Sequence, residues 1–377
     1  MKRIIAGYLA VVLSLLLLGG CAAPAASNDS RTTNQETADR TAGETADYGG
    51  NMEQVGSAKS AQTADGSAGL WNTGNITEMP QTTSEPFRAD TLITDVMNDS
   101  AFGDYGRLIF PVNSGYYSGN TLGELRLTWY TEIDPEKTVE IVNTMKSRAG
   151  AGDTIFYDIY TDAEKAADPA KADTGLFFFK GNPGEKFAIC NAGGGFAYVG
   201  AMHDSFPHAL ELSKMGYNAF ALIYRPGWDT ACEDLARAIS FIFEHAGELE
   251  VSTDCYSLWG GSAGGRMAAY LGTYGPAAFG GDVLPRPGTC VIQYTGHNEY
   301  SEQDPPTYSC VGTNDGIASW RTMQARLDAM SALGIPTEFH VYEGLWHGFG
   351  LGTGTVAEGW IDDAVAFWEA QSEQPTH

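Results

Sequence analysis

The chain has 377 residues, 43% of them hydrophobic and 18% charged, so a sizeable core can form once polar segments are set aside; its length admits one large unit or two average ones. Its formal net charge of -25 would be repelled by phosphate backbones and anionic lipid surfaces, which excludes nucleic acid as a partner. The acidity reads as solubility outside the cell.

The first 21 residues have the anatomy of a targeting segment. Lys2 and Arg3 precede an apolar run over 4–18, which ends in Leu18-Gly19-Gly20-Cys21. An ordinary secretory signal or a short membrane helix would share the run, but it is shorter than the ~20 residues a spanning helix needs. The ending resembles a bacterial lipobox. Cys21 is therefore the expected lipidation site, and the chain is expected on the extracytoplasmic face of a membrane, held by the lipid alone. Residues 22–85 are rich in Ala, Ser, Thr, Gly, Asn, Asp and Gln, and read as a disordered tether.

Residues 86–150 form an N-terminal extension with many aromatics (Tyr105, Phe110, Tyr116, Tyr117, Trp129, Tyr130) and one well-marked helix. Asp134 caps it, Pro135 takes its first position, Val139, Ile141, Val142 and Met145 mark its apolar face, and Gly150 stops it. The extension reads equally as part of a lid or as a covering layer.

From 151 to 377 the pattern alternates. Strands are expected over 154–160, 175–180, 187–191, 219–224, 256–259, 289–294, 307–311 and 337–342, with helices over 207–215, 230–246, 263–271, 319–333 and 355–371. This alternation predicts an α/β domain with a mostly parallel sheet flanked by helices. The first two strands, with no helix between them, should make an antiparallel edge. Cys190, Cys232, Cys255, Cys290 and Cys310 have no zinc spacing and read as packing thiols. A Cys232–Cys255 disulfide stays open.

Four strand ends carry chemistry. Ala192-Gly193-Gly194-Gly195-Phe196 follows strand 187–191, and no GK[ST] or GxGxxG spacing makes it a phosphate loop. Gly260-Gly261-Ser262-Ala263-Gly264 follows strand 256–259 and opens a helix, the strand–turn–helix setting of a G-x-S-x-G nucleophile; side chains at Gly260 and Gly264 would clash in so tight a turn. Asp315 and His347 then follow strands 307–311 and 337–342, giving the chain order Ser, Asp, His. His347 is placed to take the Ser262 proton and Asp315 to hold the imidazole tautomer. Asn314 beside it and Asp304 upstream are the competing polar groups, although Asp304-Pro305-Pro306 reads as a rigid lead-in.

The AGGGF loop, the stretch 203–225, GGSAGG and Gly344-Leu345-Trp346-His347-Gly348-Phe349 together resemble bacterial α/β-hydrolases related to acetyl-xylan and carbohydrate-acetyl esterases, and more distantly the hormone-sensitive-lipase group. The resemblance covers about residues 170–370. It implies the α/β-hydrolase fold, serine esterase activity on small or acetylated carbohydrate esters, and no metal or organic cofactor. It also implies an oxyanion hole of Gly194, Gly195 and Ala263, with Gly193 as the alternative donor. The hormone-sensitive-lipase pattern carries HGGG and GDSAG, where this chain has Ala192 and Gly261. Phe196, His203 and Trp346 are the candidate substrate contacts, His203 reading equally as a polar cap at the start of its helix with Asp204. Two other functions remain. A serine peptidase of prolyl-oligopeptidase type would need a large extra domain, and ~65 residues ahead of the hydrolase region are too few for a propeller. A non-catalytic binding lipoprotein would be expected to lose a triad member.

Overall fold

The computed structural model describes residues 85–130 and 133–372. The expected targeting segment, Cys21 and the tether up to residue 84 lie outside the described residues.

The extension begins with helix α1 (Ile93–Met97), followed by the two-stranded ribbon β1 (Tyr117–Ser118) and β2 (Arg126–Leu127), then helix α2 (Pro135–Gly150). Asp134 Oδ1 accepts from the amides of Glu136 and Lys137, which fixes the start of α2 where its proline stands. Ile141, Val142 and Met145 are buried, while Val139 is only half-buried. Phe102, Ile109, Leu125 and Tyr130 join the same continuous core as the sheet, so the extension is a packed layer.

The main domain runs β3 (Phe156–Tyr157), α3 (Asp162–Ala167), β4 (Gly175–Phe179), β5 (Lys186–Asn191), α4 (Ala201–Asp204), α5 (Phe206–Lys214), β6 (Asn218–Ile223), α6 (Trp228–Glu244), α7 (Ala246–Leu249), β7 (Ser252–Gly261), α8 (Ser262–Tyr274), β8 (Thr289–Gln293), β9 (Thr307–Gly312), α9 (Trp320–Ala332), β10 (Thr337–Tyr342) and α10 (Trp360–Ser372). Its eight strands lie in the order β10-β9-β8-β7-β5-β6-β4-β3. Neighbours from β10 through β6 are parallel; β4 and β3 pair antiparallel. Strands β4, β5 and β6 are buried along their whole length, the signature of a sheet covered on both faces. Because the central strands are parallel, the C-terminal ends of β5, β7, β9 and β10 share one rim, and the site assembles there.

Several boundaries differ from the sequence reading. The first strand shortens to two residues, since Thr161 and Glu164 form a capping box that starts α3. The antiparallel edge therefore exists, but α3 and a 3-10 turn (Pro169–Asp173) separate its strands. The last helix starts at Trp360 instead of 355, because Gly352, Gly354 and Gly359 hold the preceding segment at positive φ. Cys232 lies in α6 and, like Cys255, is a free thiol, so the disulfide left open does not form.

Candidate active site

Ser262 sits at the junction of β7 and α8 with φ +52, a left-handed conformation that a non-glycine residue adopts at a cost of about 1–3 kcal/mol. The turn is closed on both sides. A Cβ at Gly260 would lie 2.4 Å from the Gly264 backbone, and one at Gly264 would lie 2.0 Å from the carbonyl oxygen of Asn191. Only glycine fits either place, and the packing pushes the Ser262 side chain out over the rim.

His347 and Asp315 meet it there. His347 Nε2 lies 2.9 Å from Ser262 Oγ, and His347 Nδ1 lies 2.8 Å from Asp315 Oδ2. The Asp315 side chain is fully buried, and its Oδ1 accepts from the amides of Ile317 (2.8 Å) and Ala318 (2.7 Å). With the carboxylate so fixed, neutral His347 carries its proton on Nδ1 and turns a lone pair on Nε2 toward the Ser262 hydroxyl. The ring of Tyr294 packs edge-on against the imidazole at 5.1 Å. Asp304 takes no part: it is buried against Arg326 (2.6 Å) and Thr273 (2.9 Å).

The glycine loop runs beside the nucleophile, since a Cβ at Gly193 would come within 2.9 Å of Ser262 Cβ. Among the described residues, nothing accepts from the amides of Gly194, Gly195 or Ala263. Those three N–H groups are thus available to an oxyanion. The Gly193 amide is not, because it donates to Asp204 Oδ2 at 2.7 Å; the alternative register is set aside. Ala192, where the lipase pattern has histidine, is buried, and its carbonyl accepts from Tyr224.

His203 and Trp346 line one cleft of about 660 Å³ together with His347, Arg126, Met202 and Phe349. Trp346 is 66% exposed, whereas His203 is buried with Nε2 2.7 Å from the Gly348 carbonyl oxygen. The helix-cap reading of His203 and Asp204 is corrected: both lie inside α4, both are buried, and α4 has no side-chain cap. Phe196 does not line this cleft; it stands edge-on to Trp228 at 5.3 Å.

Four residues at the site escaped the sequence reading. Asp204, Tyr130 and Tyr294 form a buried cluster beneath the glycine loop. Trp129, at φ +72 and 55% exposed, lies over Gly195, whose Cβ would fall 3.1 Å from the indole. For Asp204 the sequence offered only the helix-cap reading corrected above. Tyr130 stood among the aromatics of the extension and Tyr294 at the end of an expected strand, with nothing in the sequence to mark either as a donor to a carboxylate. Among the described residues no group of three His, Cys, Asp or Glu could hold a metal ion, and no helix is long and apolar enough to cross a membrane.

The sheet, the strand-end triad and the glycine loop have the arrangement of the α/β-hydrolase fold. Comparison with known proteins agrees: the BD-FAE family model matches residues 182–285, the stretch carrying both the glycine loop and Ser262. A solved acetyl ester-xyloside bifunctional hydrolase from Caldicellulosiruptor lactoaceticus is 21% identical, with a TM-score of 0.50 over 57% of this chain and 95% of that one. An esterase from Thermogutta terrifontis with propionate bound is 19% identical (TM-score 0.47; 59% and 96% covered), and a sugar hydrolase from Lactococcus lactis is 21% identical (0.45; 52% and 94%). No curated protein sequence matches. The resemblance to esterase-like α/β-hydrolases read from the motifs is borne out at the level of fold.

Proposed function

We propose that this chain is a serine esterase that cleaves small carboxylic esters, with acetyl groups on carbohydrates as the substrate class, and that it works outside the cell on a lipid anchor at Cys21. The observation that carries the chemistry is the continuous hydrogen-bonded line from Asp315 through His347 to Ser262. Ser262 Oγ attacks the ester carbonyl carbon while His347 Nε2 takes its proton, and Asp315 stabilises the imidazolium. The tetrahedral oxyanion is held by the amides of Gly194, Gly195 and Ala263, assisted by the positive end of α8. Collapse expels the alcohol, which takes the proton back from Nε2. Water, deprotonated by the same nitrogen, then releases the acid.

Carbohydrate specificity is supported by the open cleft beside His347 and the exposed Trp346 indole on its wall, an apolar plate suited to the face of a sugar ring. The lipid anchor is supported by the lipobox-like run alone. p-Nitrophenyl acetate hydrolysis and fluorophosphonate labelling, both abolished by Ser262→Ala, test the chemistry; unchanged activity in that variant would refute it. Acetylated xylan, acetylated monosaccharides and longer acyl esters assayed side by side test the substrate class. Loss of palmitate incorporation in Cys21→Ala tests the anchor.

A further inference from the structure

Beneath the glycine loop lies a carboxylate that the triad chemistry does not use. Asp204 is fully buried in α4, and among the described residues no lysine or arginine pairs with it. Three donors converge on it instead. The Gly193 amide and the Tyr130 hydroxyl reach Oδ2 at 2.7 and 3.0 Å, and the Tyr294 hydroxyl donates to Oδ1. Burial, and then the Asp204 charge, push both tyrosine hydroxyls far above the usual phenol range, so each stays a donor. An uncompensated buried carboxylate is costly, and a fold keeps one only where several donors satisfy it.

Each donor comes from a different wall of the site. Gly193 opens the glycine loop, and its carbonyl accepts from the Gly200 amide at 2.9 Å, so the peptide groups on both sides of its Cα are held. Tyr130 belongs to the N-terminal extension, and its ring fills the space a Cβ on Gly348 would take, next to His347. Tyr294 follows β8, packs on the His347 ring, and its hydroxyl accepts from the Gly350 amide at 3.3 Å. The carboxylate also explains the residue before the nucleophile: a Cβ on Gly261 would lie 2.5–2.8 Å from the Asp204 carboxyl atoms. The space next to Ser262 that an aspartate in a GDSAG pattern would enter is filled here by a carboxylate from α4.

We infer that Asp204 is a positioning residue that locks the Gly193 peptide, and so aims the Gly194 and Gly195 amides at the oxyanion, while tying the extension and the His347 loop to the same point. All three of its neighbours donate to it, two to Oδ2 and one to Oδ1; an asparagine keeps a single acceptor oxygen, so at least one of the three donors loses its acceptor. The inference rests on the esterase reading above.

The test compares kcat and KM of full-length wild type, Asp204→Asn, and the double variant Tyr130→Phe/Tyr294→Phe, on p-nitrophenyl acetate and on a matched thionoester. Active sites are counted by fluorophosphonate titration. Misaimed oxyanion donors lower ester kcat per titrated site by roughly 10- to 100-fold with KM little changed. The thionoester, whose sulfur is a weaker acceptor, loses less, so the ester-to-thionoester ratio falls about tenfold. A purely structural role would shrink the titrated fraction and leave that ratio alone. If Asp204→Asn does not fold, the double variant, which removes only two hydroxyl groups, decides on the same readouts. An unchanged ratio and kcat in the folded variant overturns the inference while leaving the esterase reading intact. A wild-type protein that takes no label and cleaves no ester overturns both.

Discussion

Changing Asp315 to asparagine should remove catalysis almost completely while leaving the fold in place, and the surroundings of Asp315 dictate why. Oδ1 accepts from two amides, Ile317 at 2.8 Å and Ala318 at 2.7 Å, whereas Oδ2 faces His347 Nδ1. An asparagine at this position must keep its oxygen on the two amides, since an NH2 cannot accept. Its NH2 then points at His347 Nδ1 and favours the tautomer with Nδ1 bare and the proton on Nε2. That nitrogen can no longer take the Ser262 proton. In serine hydrolases of this type the tautomer error costs about 10⁴ in kcat, equivalent to ~5 kcal/mol of transition-state stabilisation. The stability cost is much smaller, because the two amide bonds persist and one charge-assisted bond worth ~1.5–3 kcal/mol is weakened. Steady-state kinetics on p-nitrophenyl acetate together with thermal unfolding check both halves. An Asp315→Asn protein that folds and keeps more than about one-tenth of wild-type kcat would refute the tautomer argument.

Three further outcomes follow from the geometry. Asp304→Asn breaks a buried pair with Arg326, so it should cost about 3–5 kcal/mol of unfolding free energy and leave kcat per titrated active site unchanged, the reverse of Asp315→Asn. Trp346→Ala removes the exposed plate beside His347; if a sugar ring covers roughly 60 Å² of it, KM for acetylated oligosaccharides rises about tenfold at ~25 cal/mol per Å², while p-nitrophenyl acetate kinetics stay put. Lys137 on α2 bridges Glu140 and Glu211 at 2.6 and 2.8 Å and so ties the extension to α5. Burial opposes ionisation of Glu140 and Glu211, but hydrogen bonds from Lys137 and Lys214 outweigh it and hold both carboxyls below the usual 4.5. Carboxyls lowered in the folded state contribute stability that is complete above 4.5 and lost as the pH falls through their folded values. Lys137, pushed up to about 12 against burial by those same glutamates, contributes fully below 10.5. Lys137→Met should therefore lower the unfolding midpoint at pH 7, and that deficit should shrink as the pH falls below 4.5 through the folded values of the two carboxyls; a deficit that stays constant through acid titration would contradict this.

Local chemistry made part of this protein legible from its sequence. The strand–turn–helix setting of Ser262 needs glycine at 260 and 264 wherever the turn forms, because the clashes are with neighbouring backbone. The start of α2 was readable for the same reason: Asp134 and Pro135 act within four residues. Ser262 and Asp315 could be placed at strand ends because apolar runs mark the buried end of β7 and the whole of β9, while His347 follows β10, a half-buried strand at the end of the sheet order.

What tertiary structure alone decided is set by partners distant along the chain. Asp204 meets Tyr130 from 74 residues before it and Tyr294 from 90 residues after it, and no pattern around any of the three announces the meeting. The same holds for the Gly193 amide, which looked available to an oxyanion until the folded chain put a carboxylate against it. Of the two aspartates that competed for the triad, sequence could rank them by position, but only the burial of Asp304 against Arg326 separated them. Hydrogen-bond donors and acceptors are local in identity and non-local in pairing. The sequence therefore determined which groups this protein owns and where its backbone turns, and the fold determined which of those groups face one another.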